Sequence, residues 1–259
     1  MRNYYCRSRL SRVSLRSAAD GHQGCRNAVK GQSSDMIRSV LCYGDSNTYG
    51  QASADEPDNR YGPLERWPGI MRAALGPGWL VIEEGLSGRT TVHDDPIEGA
   101  HLNGRRYLKP CLISHRPLDV IILMLGTNDL KIRFNSPVNE IATGVRALIE
   151  DIRAIAPGRD GQMPELILAS PPPVLRDLRG WEPVFEGAYE KSRGLAAAYE
   201  AVADLMEVHF FDAGSCAESS EIDGFHLGLD GHRRLGQAFA EQVHQIGWPE
   251  SYADAVASA

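Results

Sequence analysis

Five short runs of β-branched and aliphatic residues recur along the chain, at positions 37–43, 80–84, 120–125, 166–170 and 208–212. Each is too short to be a buried helix, and each reads as a strand. Between them lie segments with apolar residues three, four and seven apart. This alternation predicts a parallel sheet covered by helices on both faces, because parallel neighbours need long crossovers that must pack back onto the sheet.

The clearest helical stretch follows Ser136, read as its cap, and Pro137, read as a first-turn proline. It puts Val138, Ile141, Val145, Leu148, Ile149 and Ile152 on one stripe before Pro157 and Gly158 stop it. Further helices are expected over 67–75, 188–206 and 230–246, the last with Leu235, Phe239, Val243 and Ile246 facing inward and Asp230 as its cap. Two connections, 51–66 and 171–186, are too long for turns. Their Tyr61, Trp181 and Phe185 mark them as walls of a pocket or subunit contacts.

The chain has 259 residues, enough for one large α/β domain, and 42% of them are hydrophobic, which supplies a real core. Residues 1–35 carry seven basic and two acidic side chains in a chain of net charge −7, so they are expected to be a disordered extension. The domain then spans 36–250, and 251–259 form a tail. A net negative charge excludes nucleic acid and anionic membranes as partners, since both need clustered cations. No apolar run approaches the roughly 20 residues of a membrane span. Five scattered cysteines without a CxxC pair indicate neither a disulfide framework nor a cysteine metal site, and point to the cytoplasm.

Chemistry concentrates where strands end. The first runs into Gly44-Asp45-Ser46-Asn47-Thr48, the second into Gly85-Leu86-Ser87-Gly88-Arg89-Thr90-Thr91, and the third into Gly126-Thr127-Asn128-Asp129. Asp223-Gly224-Phe225-His226 sets a carboxylate and an imidazole three residues apart before the last helix. In a doubly wound sheet of order 2-1-3-4-5 the crevice lies between strands 1 and 3, outside their carboxyl ends. Ser46 and Asn128 flank it, and Gly88 comes from the other side of strand 1. His93-Asp94-Asp95 is rejected as a metal site because adjacent residues cannot easily face one ion. No GxSxG elbow, Walker A sequence or GxGxxG is present.

Gly44-Asp45-Ser46-Asn47, Gly88, Gly126-Thr127-Asn128-Asp129 and Asp223-Gly224-Phe225-His226 together resemble the four sequence blocks of the SGNH/GDSL hydrolases, over about 37–246. The strings 83–91, 170–173 and 210–214 look like its arylesterase and acyltransferase subgroup. The resemblance implies a three-layer, flavodoxin-like α/β/α domain, short acyl groups, no cofactor and an assembly of identical subunits. It departs at Asn47, where the family usually has leucine, and at Gly228, where Ser or Thr often stands.

In this reading Ser46 is the nucleophile, His226 the general base and Asp223 the residue that orients it. The oxyanion is held by the backbone N–H groups of Ser46 and Gly88 and the side-chain amide of Asn128. Asp45, Asn47, Trp181 and Phe185 are expected to contact substrate. The expected reaction is hydrolysis of short-chain carboxylic esters, aryl esters or acetylated carbohydrates through an acyl-enzyme on Ser46, with acyl transfer to alcohols as a companion. A thioesterase or lysophospholipase, and an idle carbohydrate-binding protein of the same fold, are the alternatives.

Overall fold

A computed structural model describes residues 37–52 and 60–246. The expected N-terminal extension and C-terminal tail lie outside the described residues. In chain order the elements are β1 (Arg38–Gly44), α1 (Ser46–Tyr49), α2 (Trp67–Leu75), β2 (Trp79–Gly85), α3 (Gly104–His115), β3 (Val120–Met124), α4 (Val138–Ile155), β4 (Glu165–Ser170), α5 (Ala188–Met206), β5 (His209–Asp212) and α6 (Leu229–Gln245). Short 3-10 turns connect several of them.

The five strands form one parallel sheet of order β2-β1-β3-β4-β5. Alternation of side chains splits its residues between two cores. Leu41, Tyr43, Ile121, Leu123, Leu166 and Leu168 pack against α3, α4 and α5. Val40, Cys42, Val120, Ile122, Ile167 and Ala169 pack against α2 and α6. β1 and β3 are therefore buried on both faces, which is why they read as continuous apolar runs. The two-helix layer closes through Phe239, whose ring lies 4.8 Å from that of Trp67 and 4.9 Å from that of Phe211.

Three local expectations change. Ser136 does not cap α4; its hydroxyl turns to the His93 ring at 3.1 Å and to the Phe134 carbonyl, and Pro137 takes the cap position with no side-chain bond. Asp230 lies inside the first turn of α6, paired with Arg233 and Arg234, and Gly228 is the cap. Helix α3 has no counterpart among the sequence-based expectations. Pro110 sits inside it and Arg105, Arg106 and Lys109 keep its outer face polar, so its apolar stripe is thin. Its start is nonetheless capped by Asn103, whose side chain accepts from the Arg105 N–H at 2.9 Å.

Candidate active site

β1 runs outward in one direction to β2 and in the other to β3, so the winding reverses beside its carboxyl end. Gly44 closes β1, Asp45 caps the following helix by accepting the Asn47 N–H at 3.0 Å, and Ser46 is the first residue of α1. A cavity of about 560 Å³ opens there, and Ser46, Gly88, Asn128, Asp223 and His226 all line it.

The Asp223-Gly224-Phe225-His226 turn builds its own geometry. One Asp223 oxygen accepts from the backbone N–H of Phe225 at 3.1 Å and of His226 at 3.0 Å. The other lies 2.8 Å from Nδ1 of His226, which presents Nε2 as the ring's remaining nitrogen. Burial opposes charge on Asp223, yet the bonds from the His226 ring and the two backbone N–H groups hold its carboxyl below the usual range. Ser220 donates its N–H to the His226 carbonyl at 2.7 Å, so the histidine is fixed on both sides.

Three donors surround the Ser46 side of the cavity. Among the described residues no acceptor takes the backbone N–H of Ser46 or of Gly88. Gly88 has φ +83°, a backbone that disfavours any side chain, and a Cβ there would come within 3.0 Å of Leu102. The Asn128 amide donates one hydrogen to the Arg89 carbonyl at 3.1 Å, leaving its second hydrogen available to the cavity. Arg89 itself is buried. Its guanidinium bonds the carbonyls of Gly44 and Glu84 and stacks 4.3 Å from the Tyr43 ring centre, so it joins the ends of β1 and β2. Sequence reasoning assigned Arg89 no role; the signal was its place directly after Gly88.

Of the four residues expected to contact substrate, Trp181 and Phe185 line the cavity. Both rings pack on Phe225, at 5.7 and 5.1 Å, and Phe225 in turn lies 4.4 Å from the His226 ring, forming an aromatic shelf beside the histidine. Asp45 and Asn47 are not in the cavity wall. Both are buried: one Asp45 oxygen accepts the Asn47 N–H while its Oδ2 has no partner among the described residues, and the Asn47 amide goes to the backbone of Phe225 and Leu227. A polar side chain next to the nucleophile is poised for substrate only if local backbone groups do not claim it first.

Gln51, from the connection expected as a wall, lines the cavity together with Ser87, Glu98 and Lys131, which the sequence did not assign to it. The Ser87 hydroxyl donates to Gln51 at 2.8 Å, so its proton is committed there. Lys131, with a side chain only 6% exposed, is held by Glu98 at 2.9 Å and Asp95 at 3.8 Å, and Arg133 bonds the same two carboxylates. Of the connection 51–66, Gln51 and Ala52 reach the cavity, while 53–59 fall outside the described residues.

Two buried carboxylates lie beneath the rim. Burial pushes Asp45 up to about 6, against the Asn47 N–H and His226, and Asp129 up to about 7, against hydrogen bonds from Thr91. His93, Asp94 and Asp95 turn to separate partners, Ser136, Arg106 and Arg133. Among the described residues Glu84, Cys111 and His115 are the group whose ligand atoms, within 4.8 Å of one another, could approach a metal ion. None of the three lines the cavity, and Glu84 and His115 already pair at 2.8 Å. No helix among the described residues is long and apolar enough to cross a membrane.

The sheet order and the cavity at its switch point define a protein of the doubly wound α/β class. The profile of the GDSL-like lipase/acylhydrolase family matches residues 42–234. The solved structure of Est24, a carbohydrate acetylesterase from Sinorhizobium meliloti, is 45% identical, covering 81% of this chain and 100% of that one, with a TM-score of 0.77. An aryl esterase of M. smegmatis is 41% identical over 81% and 100% of the two chains, with the same TM-score of 0.77. A carbohydrate acetylesterase family member from Sinorhizobium meliloti is 36% identical over 80% and 98%, with a TM-score of 0.75. No protein of curated function matches the sequence. The chain belongs to the GDSL-like lipase/acylhydrolase family, beside its arylesterases and carbohydrate acetylesterases, and is a carboxylic ester hydrolase.

Proposed function

We propose that the chain hydrolyses short-chain esters, of aryl alcohols or of acetylated carbohydrates, through an acyl-enzyme on Ser46. The observation that carries this reading is the convergence on one cavity of Ser46, Gly88, Asn128 and a His226 whose Nδ1 lies 2.8 Å from Asp223. A serine hydroxyl needs a base during attack, and an imidazole whose Nδ1–H is taken by a carboxylate can offer only Nε2.

In this mechanism the ester carbonyl carbon is attacked by the Ser46 oxygen as the hydroxyl proton passes to His226. The carbonyl oxygen gains negative charge and is met by the N–H groups of Ser46 and Gly88 and the Asn128 amide. The carbon–oxygen bond to the alcohol breaks, and the alcohol leaves with the proton from His226. A water then loses a proton to His226, attacks the acyl carbon and releases the carboxylic acid, returning the proton to Ser46. An alcohol in place of that water gives acyl transfer, and the aromatic shelf of Trp181, Phe185 and Phe225 offers it an apolar surface.

Small leaving groups fit the volume: about 560 Å³ holds a short acyl group with an aryl ring or a sugar. Turnover of p-nitrophenyl acetate by wild type and Ser46→Ala tests the reading, together with covalent labelling by a fluorophosphonate. Loss of both in the variant is expected; wild-type turnover by Ser46→Ala overturns it. Acyl-CoA and lysolipid panels separate it from a thioesterase or lysophospholipase.

A further inference from the structure

We propose that Asn47 is a positioning residue that sets the register between the nucleophile's helix and the histidine's loop. The inference rests on the proposed roles of Ser46 and His226. The Asn47 side chain spans His226 without touching its ring: Nδ2 donates to the Phe225 carbonyl at 3.2 Å, and Oδ1 accepts from the Leu227 N–H at 2.8 Å. One amide thus engages the carbonyl before the histidine and the N–H after it, as a neighbouring strand would. These partners admit one orientation of the amide.

The other bonds on this loop do not reach the nucleophile. Asp223 and Ser220 hold His226 from within its own segment, and the Gly224 carbonyl accepts from Leu175, which follows β4. Asn47 is bonded directly to Ser46 through the chain, and its own N–H is fixed on Asp45 at 3.0 Å. It is 2% exposed, and Leu227 is fully buried, so no water competes for either bond. One short side chain thus supplies both hydrogen bonds that join the nucleophile's helix to the histidine's loop, across about 180 residues of sequence. A leucine, the residue the family usually has here, can fill the space but makes neither bond.

The test is a kinetic double-mutant cycle with p-nitrophenyl acetate, using Asn47→Ala and His226→Ala alone and together, with melting temperatures recorded. Asn47→Ala is expected to lower kcat by about 10- to 100-fold, the scale of a misplacement of about 1 Å. KM should stay within about twofold, because the cavity wall is untouched. In the His226→Ala background the same substitution should cause no further loss in kcat or in the rate of fluorophosphonate labelling. Asn47→Asp keeps the acceptor for Leu227 but turns an oxygen toward the Phe225 carbonyl, so its kcat should fall at least as far as that of Asn47→Ala; it also carries the test if the alanine variant does not fold. Wild-type kcat in the folded variants, a loss confined to KM, or an equal loss without His226 overturns the proposal. Failure of the underlying mechanism is distinguishable, since His226→Ala would then itself keep wild-type turnover.

Discussion

The side-chain amide of Asn128 hangs from the main-chain carbonyl of Arg89 at 3.1 Å, one residue beyond Gly88. The segments that carry Gly88 and Asn128, two of the proposed oxyanion donors, are thereby joined by a bond. Arg89 ties the same point to Gly44, two residues before the serine. A group held in this way meets developing charge without reorganising, which is where such donors gain their effect.

Removing that donor should therefore act on the transition state. Asn128→Ala is expected to lower kcat by about 10²- to 10³-fold, or roughly 2.7–4 kcal/mol of barrier, with little change in KM. Steady-state kinetics on p-nitrophenyl acetate check this. A loss below about threefold would remove Asn128 from the proposed oxyanion hole.

Asp223→Asn changes one atom and should cost more. The amide can still accept the N–H groups of Phe225 and His226 through its oxygen, but it offers a donor where Nδ1 of His226 needs an acceptor. The ring is then driven toward the wrong tautomer, and kcat should drop by on the order of 10³- to 10⁴-fold at neutral pH. Fluorophosphonate labelling rates, measured alongside kcat, should fall in parallel.

The buried carboxylates give stability a pH dependence of defined sign. Asp129, pushed up to about 7, and Asp45, pushed up to about 6, keep their protons in the folded chain where the unfolded chain has released them. Their contribution is complete below about pH 4 and is lost as pH rises through 6 and 7, by up to about 1.4 kcal/mol per pH unit for each proton. His232 works in the opposite direction: burial holds its ring down to about 3, so its contribution is complete above about pH 6.5 and is lost as pH falls. Asp129→Asn isolates one side of this balance. Its stability relative to wild type should climb between pH 4 and 7 in urea denaturation, and a flat difference would contradict the assignment.

Phe239 of α6 packs on both α2 and β5. Phe239 is fully buried between Trp67 and Phe211, and Phe239→Ala should cost roughly 3–5 kcal/mol of stability by lost transfer energy and the cavity left behind. Denaturant midpoints measure it. kcat of the folded fraction should change little, because none of the three rings lines the cavity.

Much of the architecture was readable in the linear pattern because it depends on local periodicity. All five strands lie where the apolar runs are, and the helices Trp67–Leu75 and Ala188–Met206 begin and end at the expected residues. The order β2-β1-β3-β4-β5 is as expected too, since parallel strands joined by helices leave few windings. Helix α3 escaped notice because Pro110 and its basic outer face weaken the one signal that periodicity offers.

At the site the division is sharper. Residue type and position at strand ends singled out Ser46, Gly88 and Asn128, the pair Asp223 and His226 stood out before the last helix, and the resemblance to four sequence blocks supplied the roles proposed for them. Asp45 and Asn47 are the polar neighbours that the sequence puts in contact with substrate, and neither lines the cavity. Asp45 and Asn47 flank the serine in sequence yet bond backbone, while Glu98 and Lys131, far from it in sequence, form the cavity wall. A buried polar group goes to the nearest unpaired partner, and that partner is set by which segments the sheet brings together, a long-range fact that no local pattern encodes.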